Sequence, residues 1–486
     1  MCILQVAKVF IKISSEKILR KEGNMRGRLS KLRTGLLAVT FAAAAVVGLN
    51  TTDASAALRN ISPQTQACLG CHKGMNPALT QQWGISKHAE AGVGCYECHM
   101  ANKGEKDAFQ HFGFTISTIV SPLDCGKCHP KEAKEVTESH HAKAAQFVGS
   151  LDNVLGRIVE GEPLFNLGCA QCHGRTIPTK NGLPIAGPWP NEGIGRVNPD
   201  GSLGNCAACH FRHSFSLKQV REPDMCGKCH QGPDHPQIEV WELSKHGIAY
   251  KAHQSEIEQT LDRAKWVLGE DYYQAPNCVT CHMGASVTGA KATHDVGARL
   301  SWTLRPPISK HKENWKAKRA EMKKVCAACH QKLWVDSFYY QFDELVKLYN
   351  EKFAKPAAQV MKFLKSRKLI DPTPFNDKIE WEYFLLWHHE GRRARHGASM
   401  MAPDWTHWHG LFEVAYNFYY KLLPEADKIV AEKGSRKDKK DWAEFKKKLF
   451  STPEHKWFKG MPKSELRKIA EFYVKRYGKA AGEAAQ

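Results

Sequence analysis

Cys68-Leu69-Gly70-Cys71-His72 is repeated seven more times along the chain, as Cys95/Cys98/His99, Cys125/Cys128/His129, Cys169/Cys172/His173, Cys206/Cys209/His210, Cys226/Cys229/His230, Cys278/Cys281/His282 and Cys326/Cys329/His330. Cys-x-x-Cys-His is the attachment pattern of c-type haem. Two thiols add across the haem vinyl groups, and the adjacent imidazole reaches the iron beneath the ring. Zinc sites do not need a histidine directly after the second cysteine every time, and disulfides impose no fixed two-residue gap. The spacing predicts eight covalently bound haem c groups. They consume sixteen of the 17 cysteines and leave only Cys2.

Eight large apolar discs supply core in place of side chains, so segments between motifs need little secondary structure of their own. The predicted fold is mainly α: a multihaem cytochrome c with haem-wrapping loops in the N-terminal two-thirds and a helical C-terminal third. Three regions are expected. Residues 1–56 read as a signal peptide with a mis-called extension, 57–330 as one continuous octahaem-binding region, and 331–486 as a helical region serving the active site and trimer contacts. Gly174 to Gly204 is rich in Gly-Pro, Asn-Gly and Pro-Asp-Gly turns and reads as a long loop. Helical periodicity sets in near Ser309 and runs through Trp315, Met322, Val325, Phe338, Phe342 and Leu345. Pro356 is expected to interrupt it, and Asp371-Pro372-Thr373-Pro374 to end it. Further helices are expected over 376–390, 408–433 and 464–481. The aromatic residues of this third read as core and haem packing.

Arg26, Arg28, Lys31 and Arg33 precede the apolar run Gly35 to Leu49 and the small-residue site Ala54-Ser55-Ala56. This layout predicts export, with Met25 as the true start. The destination is a periplasm or an equivalent extracytoplasmic compartment. The run is short for a membrane span, and no later segment has span length, so no transmembrane span is expected in the mature chain. The formal net charge is +20; the first 56 residues hold nine Lys/Arg and three Asp/Glu, leaving +14. Sixteen haem propionates account for such a balance better than a nucleic acid does, so no nucleic-acid partner is expected. Lys433 to Lys448 reads as a solvated helical face on which an acidic redox partner can dock.

Of 24 histidines, eight belong to motifs. Electron-carrying haems usually hold a second strong axial ligand. His88, His111, His140 or His141, His213, His246, His294 and His396 form the candidate set. No histidine lies between Gly174 and Cys209. The haem at Cys169/Cys172/His173 is therefore the candidate for a five-coordinate, catalytic iron. Asp234 and His235, in Gly232-Pro233-Asp234-His235-Pro236, fit none of the short capping spacings and suit proton transfer. Two late stretches, 388–397 and 400–410, are dense in His, Arg and Trp; their arginines are expected to meet propionates.

These features resemble the octahaem hydroxylamine oxidoreductase family over nearly all of the chain beyond residue 56. The resemblance rests on the eight motifs, Gly232 to His235, and Arg395-His396-Gly397-Ala398-Ser399-Met400-Met401-Ala402-Pro403-Asp404-Trp405-Thr406-His407-Trp408-His409-Gly410. It implies a mostly helical subunit in a homotrimer or an assembly of trimers. It implies a catalytic haem on the fourth motif, with Asp234 and His235 as proton-transfer groups and seven bis-histidine carriers. It also implies a redox partner cytochrome, in some relatives a small c-type subunit. Oxidative members carry a tyrosine after Pro-Asp that bonds to a neighbour's catalytic haem. Here that place holds Trp405, and Tyr383 and Tyr416 are out of register. Members lacking it look like reductases of nitrite to nitric oxide, hydroxylamine or ammonium. Reduction of nitrite is the expected activity. Oxidation of hydroxylamine or hydrazine, and pure electron transfer, are the competing readings.

Overall fold

The computed structural model describes residues 60–148 and 154–478. The leader reading and Cys2 lie outside them. The chain divides into two compact units, one ending at Cys95 and one starting at Tyr96. The fold is mainly α, as expected. Strands are limited, among the described residues, to four two-stranded pairs such as Phe109–His111 with Phe114–Ile116.

In the first unit, Ser62 caps helix Pro63–Met75 by accepting from the Thr65 N–H at 3.2 Å, and Pro63 fits the first turn. Its core is Ile61, Leu69, Trp83 and Ala89. So small a core needs another source of stability. A haem on Cys68 and Cys71 provides one.

The second unit repeats one local device at its motifs. The His129, His210, His230 and His330 N–H groups each donate to the carbonyl of their motif's first cysteine at 2.9 Å. That closes a helical turn, and residues i, i+3 and i+4 of a turn share one face. Both thiols and the imidazole thus face the same flat ligand. The motifs also touch one another. The thiols of Cys125 and Cys206, Cys172 and Cys229, and Cys226 and Cys278 lie in hydrogen-bonding contact. The third motif meets the fifth, the fourth meets the sixth, and the sixth meets the seventh.

The motif cysteines differ in exposure. Cys128 is exposed, as are Cys71 and Cys329, while the other thirteen motif cysteines are half-buried. The reason is local at the third motif. Cys128 falls in the short gap between helices Pro122–Gly126 and Pro130–Glu138, and the residues from Lys127 to Lys131 are exposed with it, His129 included. Its partner Cys125 sits further in, against Cys206. A thiol that bonds a haem needs an open side facing the ring, so exposure of Cys128 is compatible with attachment.

Helix Trp315–Cys326 carries the start of the eighth motif. Arg319 locks it to helix Lys332–Leu348 through two 2.7 Å bonds to Asp343. Pro356 does not interrupt the helix that follows. A π-turn, Tyr349–Ala354, precedes helix Lys355–Ser366, so the proline falls in a first turn where its missing N–H costs nothing. Asp371 to Pro374 does end the run. The helix expected to stop at 390 instead continues through π-turn Leu385–Glu390 into Gly391–Ser399. Many of the aromatic residues are core, as read from sequence, with Tyr349, Phe353, Phe363, Phe384, Trp387, Phe418, Tyr419 and Trp442 in one buried cluster, while others such as Tyr340, Trp408, Tyr416 and Tyr420 are exposed. Helix Arg436–Leu449 turns its lysines to solvent. No helix of the described residues is long and apolar enough to cross a membrane.

Candidate functional site

Two imidazoles on one iron sit about 6.3 Å apart centre to centre, from two bonds of about 2.0 Å and the ring radii. Four motif histidines have a second histidine ring at that separation. His99 has His213 at 6.5 Å, His210 has His294 at 6.4 Å, and His330 has His246 at 6.0 Å. His230 has His141 at 6.0 Å and His235 at 6.2 Å. The residues fit haem. The pairs join distant segments: His213 stands by the second motif, not the fifth that it follows.

The remaining candidates are placed differently. His140 turns from its neighbour toward Lys312, whose Nζ is 2.6 Å from Nε2. Burial, Lys312 and Arg305 push it down to about 4. His396 lies 3.3 Å from Gln237 and makes no ring pair with a motif histidine among the described residues. His111 ends a strand and meets Phe112 edge-on at 4.9 Å. His88 lies in helix Lys87–Glu90.

The loop after the fourth motif folds back on it. Ile194 N–H donates to the Cys172 carbonyl at 3.0 Å and Gly195 N–H to the His173 carbonyl at 3.2 Å. The approach requires glycine: a Cβ on Gly193 would stand 2.1 Å from the Gly174 nitrogen. Buried Arg196 pins the loop through Asn198 and the Val120 carbonyl, both at 2.7 Å. Among the described residues no second histidine ring pairs with His173. Instead, His173 lies in the field of His235 and Asp234, and burial holds it below the usual imidazole range.

Asp234 is the hub. Its Oδ1 is 3.6 Å from His235 Nε2, and its Oδ2 is 3.9 Å from His388 Nε2. The Arg392 guanidinium donates to Oδ2 at 2.8 Å and, through Nε, to the Arg305 carbonyl at 2.9 Å. The turn bearing Asp234 is held by Gly232 N–H to Glu239 at 3.0 Å and Ile238 N–H to the His230 carbonyl at 3.0 Å. Burial, with Arg392 beside it, drives His388 well below its ordinary range, so it is neutral. His388 and Arg392 are one helical turn apart, and that spacing was the sequence signal for their common face. The late arginines also have partners within the protein. Arg392 holds Asp234 and Arg393 pairs with Glu413. Arg395 bonds Ser309 and the Gly391, Pro306 and Trp387 carbonyls. Trp405 carries a buried Nε1 without a protein partner.

Comparisons with known proteins agree with the haem reading. Residues 200–371 match the family described as seven times multi-haem cytochrome CxxCH, and residues 42–100 match cytochrome c554 and c-prime. A Kuenenia stuttgartiensis protein named "Probable nitrite reductase-hydroxylamine oxidoreductase fusion protein" is 25% identical over 74% of this chain and 51% of its own length. The chain thus spans about half of that curated relative. A solved "Hypothetical multiheme protein" is similar with a TM-score of 0.66 and 25% identity, over 79% of this chain and 98% of that one. A reducing HAO-like protein complex of Kuenenia stuttgartiensis shares the fold at a TM-score of 0.55 and 18% identity, over 79% and 87% of the two chains.

Proposed function

We propose that this chain, a multihaem cytochrome c with the fold of the HAO-like proteins, reduces nitrite at a single reactive haem held by Cys169, Cys172 and His173. The observation that carries the reading is the Asp234–His235–His388–Arg392 cluster, whose His235 and Asp234 act electrostatically on His173 while His235 also lies 6.2 Å from His230. A haem held by Cys169, Cys172 and His173 would supply electrons and a binding site for the substrate nitrogen. The chain's own residues then have three tasks. Asp234 and His235 hold the protons that leave with nitrite oxygen as water. Arg392 fixes the Asp234 carboxylate and adds positive charge for an anionic substrate. Arg196 and the loop around Gly193 close over the motif and limit water. Two protons and one electron turn nitrite into nitric oxide and one water; eight protons and six electrons carry it to ammonium and two waters. The pairs His99/His213, His210/His294, His330/His246 and His230/His141 would hold electron-carrying haems, and the Cys172–Cys229 contact supports electron supply to the fourth motif from the sixth.

The reading extends to a homotrimer outside the cytoplasm and to a redox partner cytochrome. The test is turnover. Holoenzyme with a reduced dye should consume nitrite faster than it oxidises hydroxylamine or hydrazine with an electron acceptor. The reverse ranking would make it an oxidase of those compounds, and no turnover in either direction would leave an electron-transfer cytochrome.

A further inference from the structure

Nitrite reduction consumes several protons, and the half-buried Asp234 and His235 can hold only one each before resupply. This inference rests on the reductive reading above. The helix bearing Arg392 begins in the π-turn Leu385–Glu390, which places His388, His389 and Glu390 in consecutive positions. Such turns often occur at functional sites. From Asp234 a series of acid–base groups leads outward. His388 Nε2 is 3.9 Å from Asp234 Oδ2, and the His388 and His389 rings are 5.2 Å apart, edge to face. Arg393 adjoins both His389 and Glu390 and pairs with Glu413. Glu413 Oε1 is 3.3 Å from His409 Nδ1, and His409 Nε2 is 3.6 Å from Asp404. Side-chain exposure is 19% at Asp234, falls to 9% at His388, and then rises through 16% at Arg393 and 35% at Glu413 to 52% at His409. The line therefore passes through the interior at His388 and reaches solvent at His409.

Three atoms along it, His388 Nδ1, Glu390 Oε2 and Arg393 Nε, are buried and lack a protein partner. Buried polar atoms of this kind are served by ordered water. Glu390 is the unusual member, a buried carboxyl one turn from the site. Its Oε1 accepts from Asn417 at 3.2 Å, and it faces Arg393, Glu413, Lys421 and Tyr349. Burial lifts it to about 7, so it gains and loses a proton near neutrality. Arg393 cannot carry a proton, so the gap it spans is crossed by water.

We propose that His409, Glu413, Glu390, His389 and His388 form a water-assisted proton inlet that recharges Asp234 and His235 from solvent. Each proton taken at His409 is released at Asp234, and no group along the path is changed by a full turnover.

The test uses haem-loaded wild type, Glu390→Gln and Glu413→Gln, checked for eight haems by absorbance. The glutamine at 390 keeps the Asn417 bond and the side-chain volume. Dye-driven nitrite reduction should lose tenfold or more in kcat in Glu390→Gln, with KM within twofold and a larger solvent deuterium isotope effect. Glu413→Gln touches nothing near Asp234 and separates a path from local positioning. Its kcat should fall severalfold and be partly restored by added acetate. Reduced-minus-oxidised infrared spectra should show a buried carboxylic acid band that Glu390→Gln removes. Unchanged kcat and isotope effect in either variant would overturn the inlet. So would absence of the Glu390 band, a readout that holds even if wild type fails to reduce nitrite. Failure of wild type on nitrite, with the band present and hydroxylamine oxidation slowed in both variants, would sink the reductive reading and keep the path, run outward.

Discussion

Asp234 gathers His235, His388 and Arg392 within 4 Å, and the chemistry at the fourth motif depends on that carboxylate. Asp234→Asn is expected to lower kcat by about 10²–10⁴-fold while all eight haems load. Steady-state assays beside a haem count check it. Glu390 yields a stability prediction. Its folded pKa is raised from 4.5 to about 7, so the folded chain binds the proton more tightly than the unfolded chain does. Stability is therefore lost as pH rises from about 4.5 through 7, by up to about 3 kcal/mol. Thermal melts of Glu390→Gln against wild type should match near pH 4.5 and favour the variant above pH 7. The neighbouring histidines 140 and 141 divide cleanly. His141→Ala should add a high-spin haem to the paramagnetic spectrum, and His140→Ala should not, because His140 is engaged by Lys312. Sequence narrowed the ligand to this pair and could go no further, since adjacent residues differ only in the direction the backbone gives them.

At the scale of elements, the motif turns were legible because Cys-x-x-Cys-His is itself one turn of helix. How deep each turn sits was not, since Cys125 and Cys128 read alike in sequence and only the second is exposed. The partners of the motif histidines were hidden too. His213 follows the fifth motif yet stands 6.5 Å from His99, a closure set by tertiary packing over loops without periodicity. The π-turns gave no signal either. Pro356 reads as a breaker, but the wide turn before it leaves no donor to be lost. The loop 174–204 was recognised as irregular from its glycines and prolines, and what it covers came only from the fold. Its close approach is testable. Gly193→Ala would force a Cβ against the Gly174 nitrogen and the Ala170 carbonyl, at 2.1 and 2.4 Å. The expected cost is about 1–3 kcal/mol or more. The fourth haem's spectrum should change while the other seven keep theirs, as optical and paramagnetic spectra of the purified variant would show.

At the scale of the molecule, a multihaem cytochrome was legible from sixteen cysteines alone, and the mainly α architecture followed from helical periodicity beyond Ser309. Assembly was not legible from composition. Helix Lys463–Tyr477 buries no residue, and Leu466, Ile469, Tyr473 and Tyr477 share one exposed face. Under the trimeric reading proposed above, a second copy of this chain covers it. Ile469→Glu should then lower the mass seen by light scattering relative to wild type. The central claim is one reactive haem among seven saturated ones. Paramagnetic resonance of the oxidised holoenzyme, with and without nitrite, tests it most directly. One high-spin ferric haem per chain, converted to a new signal by nitrite and lost in His173→Ala, is the predicted result. Eight low-spin haems that ignore nitrite would contradict it.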